Sequence, residues 1–289
     1  MLRSLIKTMR PKQWAKNVLI FAAVVFDRKL TNVPALLQTL AGFVLFSLLA
    51  STIYIFNDIS DIEADRKHPK KRMRPIPSGD LPLSAAWIAG IIILVIVLTL
   101  AYSLSPTFAL VCLVYFVLNL SYSAWFKHIV LIDVLVLASF YVIRVVAGVA
   151  IINVERFSPW LYVSIIFLAL FMGVGKRRAE YVLAQQTGDT HRRVLNAYTL
   201  PFLDQLITIV LTITILTYSL YTFSAPNLPD NHVMMLTIPF VIYGIFRYLY
   251  LVQVEGHGEA PEEIVFSDLP FQLNIIIWGL SILLIFYIF

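Results

Sequence analysis

Apolar residues in this chain fall into long runs separated by short polar stretches. Nine runs can be delimited, at about 14–27, 34–56, 84–104, 106–123, 129–151, 158–175, 202–223, 233–251 and 271–289. Most are close to the roughly 20 residues that a helix needs to cross a bilayer. None shows the two-residue alternation of a membrane barrel strand. The pattern predicts an all-α, polytopic membrane protein with nine transmembrane helices in a single domain spanning 1–289. The first run is the shortest, and Trp14, Lys16 and Asn17 sit at its N-terminal end. No small-residue cleavage site follows it, so it reads as a span and not as a cleaved leader.

Composition sharpens this picture. Hydrophobic residues make up 60% of the 289 positions and charged ones 13%, with a mean hydropathy of +0.83. A soluble domain cannot cover that much apolar surface. The charges are also unevenly placed. Arg3, Lys7, Arg10, Lys12 and Lys16 precede or open the first run; Arg66, Lys67, Lys70, Lys71, Arg72 and Arg74 lie between the second and third. Lys127 lies between the fourth and fifth, and Lys176, Arg177, Arg178, Arg192 and Arg193 between the sixth and seventh. The other side carries only Arg28, Lys29 and Arg156. The positive-inside rule then puts all the polar motifs on the cytoplasmic side of the inner membrane and the C-terminus outside. The net charge of +5 is a topology signal, and no nucleic-acid partner is expected from it. The lone cysteine, Cys112, lies within the fourth run and reads as a small buried hydrophobe.

The segment NDISDIEADRKHPKKRMRPIPSG, from Asn57 to Gly79, concentrates the chemistry. Asp58, Asp61 and Asp65 are spaced to share one face of a helix. Three carboxylates on one face repel unless a cation sits among them, and hard oxygen ligands favour Mg²⁺ shared with substrate phosphates. Asn57 adds a neutral donor and acceptor, while Glu63 points elsewhere. Lys70, Lys71, Arg72 and Arg74 follow, and can clamp phosphate oxygens. The plainer alternative is a helix end whose acids pair with Arg66, Lys70 and Lys71. Pro69, Pro75, Pro77 and Gly79 shape a tight loop that turns these bases back over the acids.

Other polar groups gather on the same side. Lys16 and Asn17 lie at the membrane edge, and a buried Asn needs a partner. Tyr122 and Lys127 flank the junction of the fourth and fifth runs. Asp133 and Arg144 lie inside the fifth run, too far apart to touch, so each should pair with another helix. In GVGKRRAE, Gly173 to Glu180, the bases Lys176, Arg177 and Arg178 outnumber the single acid and favour a phosphate over a metal. His128, His191 and His257 have no zinc-ligand spacing. The acidic segment 255–268 has no chemistry that can be decoded from its residues.

The NDxxDxxxD motif after the second run resembles the UbiA superfamily of intramembrane prenyltransferases. RPKQWAKN, DRKHPKKRMRPIPSG, YSAWFKH, VGKRRAE and EAPEEI together resemble its decaprenyl-phosphate phosphoribosyltransferase branch, over about residues 5–289. The resemblance implies a UbiA-like bundle with a cytoplasm-facing active site. Phosphoribosyl pyrophosphate would be the donor, a polyprenyl phosphate the acceptor and Mg²⁺ the cofactor. Ordinary members carry a second Asp-rich motif where this chain has Lys176, Arg177 and Arg178. The resemblance implies catalytic or metal-binding roles for Asp58, Asp61 and Asp65, with Lys16, Tyr122 and Lys127 orienting phosphate. It implies substrate contacts from Asn17, Asn57, Lys70, Arg72, Arg74, Lys176, Arg177 and Glu180. The alternative activity is prenyl transfer to an aromatic or quinone-precursor acceptor. A transporter is disfavoured because the polar groups collect at one edge and only Arg144 lies deep. Aromatic-rich faces such as Phe240 to Tyr250 can meet membrane lipids or a second copy in a homo-oligomer.

Overall fold

The computed structural model describes residues 1–68, 71–152, 154, 158–187, 193–226, 228–229, 231–256 and 261–288. Lys70, Arg156, His191, Arg192, His257 and part of the 255–268 segment lie outside the described residues. The described residues are helical, with no strand among them. Among the described residues, eight helices are long and apolar enough to cross a membrane, and the chain divides into two compact units.

The first unit comprises Met1–Ala124 and Ile143–Val154. It begins with α1 (Leu2–Met9), a 3-10 helix (Pro11–Phe21) and α2 (Ala22–Phe26). Then come α3 (Val33–Ser60), α4 (Ile62–Lys67), α5 (Pro75–Ser78), α6 (Leu83–Leu104) and α7 (Pro106–Ala124). The end of α8 (Ile132–Ile151) completes the unit. The central helix is α3: it packs against α6, α7, α1 and the 3-10 helix. Asn32 caps its start by accepting from the Ala35 N–H, with Pro34 in the first turn. By contrast, α6 and α7 bury little of their apolar surface. Ile88, Ile91, Ile92 and Val95 on α6 are exposed, as a lipid-facing helix requires.

The expected first span, 14–27, departs from a regular transmembrane helix. It is the 3-10 helix followed by the short α2. Its polar residues are fastened to α3. Trp14 Nε1 donates to Ser51 Oγ at 3.0 Å, and Asn17 Nδ2 donates to Ser47 Oγ at 2.9 Å. Arg144 Nε on α8 donates to Asn17 Oδ1 at 2.8 Å, and its Nη2 to the Tyr115 hydroxyl at 2.9 Å. A Cβ on Gly148 would lie 2.1 Å from the Ile20 carbonyl oxygen, so glycine lets α8 meet this backbone directly. A 3-10 helix rises about 2.0 Å per residue, so Pro11–Phe26 extends about 30 Å despite its shortness.

The second unit comprises Trp125–Val142 and Glu155–Phe289. It contains the first half of α8, α9 (Pro159–Thr187), α10 (Leu200–Ser224), α11 (Ile238–Gln253), α12 (Pro261–Ser267) and α13 (Leu269–Ile288). The most extensive packing is between α9 and α10. Val134, Phe171, Val174, Leu203, Ile207, Leu211, Tyr248 and Ile264 form its core. Gly173 permits close approach here too: a Cβ there would stand 3.0 Å from the Val134 carbonyl oxygen.

Candidate active site

In the first unit, the acidic motif sits where α3 hands over to α4. Asp61 joins the two helices. Its N–H donates to the Asn57 carbonyl at 2.9 Å, and its carbonyl accepts from Asp65 N–H at 2.8 Å. The helical path therefore continues almost unbroken, and Asp58 and Asp65 fall on its buried side while Asp61 is exposed. The expected triad is thus a convergent pair with a third acid beside it. Among the described residues, Asp61 makes no side-chain hydrogen bond or ion pair, and no three His, Cys, Asp or Glu side chains converge as a metal cage.

The pair is joined by arginine. Arg74 Nη1 lies 3.1 Å from Asp58 Oδ1 and 2.7 Å from Asp65 Oδ2. Arg10 Nη2 lies 2.5 Å from the same Asp58 oxygen, and its guanidinium sits 4.7 Å above the Tyr54 ring. Lys71 Nζ stands 3.7 Å from Asp65 Oδ1. Arg74 comes from the loop before α5, turned back over the acids as the prolines predict. Arg10 adopts φ 53°, the left-handed region, at the C-terminal cap of α1. That backbone is uncommon for a residue with a Cβ. It aims the side chain at Asp58 from a helix that packs on α3 and α5.

A cavity of about 270 Å³ opens beside this cluster, lined by Lys7, Thr8, Arg10, Asp58, Met73, Arg74 and Pro75. Three cations and one buried carboxylate therefore share its wall. The charge pattern alone gives Lys7 and Arg10 only a topological role. The signal that marks them is the short basic helix α1, which precedes the first long apolar run.

These residues fit a divalent cation. Two buried carboxylates already converge on one cationic atom, and both offer hard oxygen donors. Two protein ligands leave positions for water and phosphate oxygens, the ligand set Mg²⁺ prefers. Asp58 and Asp65 are the residues that would hold it.

The second unit holds a cluster of another kind. Arg177 and Asp133 are both fully buried, with Arg177 Nε 2.6 Å from Asp133 Oδ2. Glu180 pairs with the same guanidinium. The Tyr198 hydroxyl donates to Asp133 Oδ1 at 2.7 Å and accepts from Leu131 N–H at 2.8 Å. Burial, reinforced by the bond to Asp133, pushes the Tyr198 phenol well above its ordinary pKa. Next along α9, Arg178 Nε lies 2.6 Å from Asp204 Oδ1.

The model of the UbiA prenyltransferase family matches residues 18–276. The chain belongs to this family. The decaprenyl-phosphate phosphoribosyltransferase of Mycobacterium tuberculosis (strain ATCC 25618 / H37Rv) is 37% identical over 279 residues, 94% of this chain and 91% of that protein. That of Corynebacterium glutamicum is 35% identical over 293 residues, 98% of this chain and 87% of that protein. A UbiA homolog from Archaeoglobus fulgidus, solved bound to GPP and Mg²⁺, superposes with a TM-score of 0.73 at 20% identity, covering 98% of this chain and 99% of the other. That likeness establishes a UbiA fold.

The other expected site residues are placed as follows. Arg177 is fully buried, with Asp133 and Glu180 against its guanidinium. Glu180 is engaged by Arg177, and Arg178 by Asp204. Two of the three charges read as phosphate-seeking are thus neutralised within their own unit. Asn17 is buried, bonded to Ser47 and Arg144, and does not line the cavity. Asn57 accepts from Ser123 Oγ at 3.1 Å beside the acids. Arg72 is exposed, whereas Lys16 and Tyr122 of the first unit and Lys127 and Lys176 of the second are half-buried. Asp133 and Arg144 each pair across helices, as their placement inside one span requires.

Proposed function

We propose that this protein is a membrane-embedded phosphoribosyltransferase. It moves 5-phosphoribose from phosphoribosyl pyrophosphate to a polyprenyl phosphate and releases pyrophosphate. The observation that carries this reading is the convergence of two buried carboxylates beside a cavity walled by three cations. It occurs in a chain that matches relatives named for this activity over nearly its whole length.

Asp58 and Asp65 are assigned to the metal, with Asp61 and Asn57 at its margin. The chemistry a bound Mg²⁺ supplies is neutralisation of the departing pyrophosphate. Lys7, Arg10 and Arg74 hold phosphate oxygens at the cavity wall. A lipid phosphate oxygen attacks C1 of the ribose, the C1–O bond to pyrophosphate breaks, and C1 inverts. The attacking phosphate is anionic near neutral pH, so no strong general base is needed. Lys16 and Tyr122 are candidates for orienting it. In the second unit, Lys127 and Lys176 are candidate anion contacts, while Arg177 and Glu180 are reassigned to holding that unit together. We further assign Pro11–Phe26 as a ninth crossing, with the basic segments on the cytoplasmic side of the inner membrane.

The test is turnover by the purified protein in detergent, supplied with Mg²⁺, phosphoribosyl pyrophosphate and a polyprenyl phosphate. The expected product is the lipid-linked phosphoribose, identified by mass spectrometry. Absence of that product, with prenylation of an aromatic acid from a prenyl diphosphate, would move the chain to the ordinary prenyltransferases.

A further inference from the structure

The carboxylates that would hold a metal are the ones that arginine now engages. Asp58 Oδ1 takes both Arg10 Nη2, at 2.5 Å, and Arg74 Nη1, at 3.1 Å; Asp65 Oδ2 takes Arg74 at 2.7 Å. Mg²⁺ binds carboxylate oxygen at about 2.1 Å. A dication at that distance stands against a guanidinium on the same carboxylate, so the two cations oppose each other there. The two sides of the cluster also differ in freedom. The Asp58 and Asp65 side chains are 3% exposed and fixed on a helix, whereas Arg10 and Arg74 are 30% and 31% exposed. Both arginines line the cavity, with Lys7 beside them. The carboxylates stay; the arginines have somewhere to go. A guanidinium displaced next to a dication needs an anion, and its planar fork suits phosphate.

We propose that Arg10 and Arg74 are exchangeable counter-ions. They compete with the divalent cation for Asp58 and Asp65, and they transfer to the diphosphate as the metal enters. Metal and diphosphate therefore bind as a pair, and each alone binds weakly. The inference deepens the function proposed above and rests on its metal–diphosphate reading. It assigns these arginines a role in setting the order of binding.

The test uses the full chain in detergent with Mn²⁺ as the metal probe and inorganic pyrophosphate as the anion. Mn²⁺ alone is titrated by the electron paramagnetic resonance signal of the free ion. Labelled pyrophosphate retained at saturating Mn²⁺ is measured by equilibrium dialysis. Coupling between sites commonly amounts to about 5- to 150-fold. Arg74→Gln is expected to bind Mn²⁺ alone about tenfold more tightly than the wild type, and manganese pyrophosphate about tenfold more weakly. Arg10→Gln, which leaves the Arg74 bridge between the acids intact, should shift both constants in the same directions by less. Unchanged Mn²⁺ affinity in both folded variants would overturn the exchange. So would a wild type that binds Mn²⁺ as tightly alone as in the presence of pyrophosphate. The two proposals fail separately. Opposite shifts without phosphoribosyl transfer would overturn the donor assignment only; transfer with unshifted Mn²⁺ affinity would overturn the exchange only.

Discussion

Two acid–arginine clusters, built from the same side chains, stand in opposite relation to solvent. Arg177 and Asp133 are fully enclosed, and Glu180, Tyr198 and Leu131 N–H complete the network. Arg10 and Arg74 are about a third exposed over their buried acids and open onto a cavity. A sealed pair holds helices in place, because breaking it strands a charge in low dielectric. A pair at a cavity wall can trade its cation for a ligand. Charge type alone does not separate the two; enclosure and the count of partners do.

The largest effect that could break this contrast is on stability. Arg177→Ala strands Asp133 and should cost about 3–5 kcal/mol, read as a large drop in the unfolding midpoint in detergent. A variant that stays folded and loses only activity would place Arg177 with the ligand contacts. Next comes Asp58→Asn, which should reduce turnover at least about 100-fold while the unfolding midpoint stays near wild type. Loss of folding there would make the cavity cluster structural as well. Tyr198→Phe removes one donor to a buried carboxylate and should cost about 1–3 kcal/mol with kcat little changed. The same site gives a pH signature. The phenol pKa is raised on folding, so its contribution is intact below the unfolded value of about 10 and is lost as pH rises toward the folded value. Stability should fall in alkaline solution above about pH 10, and Tyr198→Phe should flatten that fall. The smallest effect is that of Lys7→Ala. It should weaken pyrophosphate binding about threefold without touching stability, as expected for one partly hydrated cation at a cavity wall.

The long helices were plain in the sequence, because unbroken apolar runs of about twenty residues leave few alternatives. The exception teaches more. Residues 14–27 looked like a short, polar-tipped span. They fold as a 3-10 helix followed by the short α2, with Trp14 and Asn17 bonded to Ser51, Ser47 and Arg144, a solution that depends on α3 and α8 and not on local periodicity. Spacing put Asp58, Asp61 and Asp65 on one helical face, and it did not show that Asp61 stays exposed where α3 meets α4. The fate of the basic residues was not legible in the sequence. Arg74 and Arg177 look alike in sequence, and what separates them is Asp133 and Tyr198, brought to Arg177 by the packing of another helix and a loop, with Glu180 one turn further along α9. Arg10 was hidden for a related reason. A positive-inside charge and a site residue carry the same letter, and only the left-handed cap of α1 turns this one onto Asp58.

The most direct test compares wild type, Asp58→Asn and Arg177→Lys in one turnover assay with phosphoribosyl pyrophosphate and a polyprenyl phosphate, with and without EDTA. The proposal predicts lipid-linked phosphoribose from the wild type, abolished by EDTA and by Asp58→Asn in a protein that remains folded. It predicts that Arg177→Lys loses product only in proportion to lost folded protein. Product that survives both EDTA and Asp58→Asn would contradict the assignment of the metal–diphosphate site to Asp58 and Asp65.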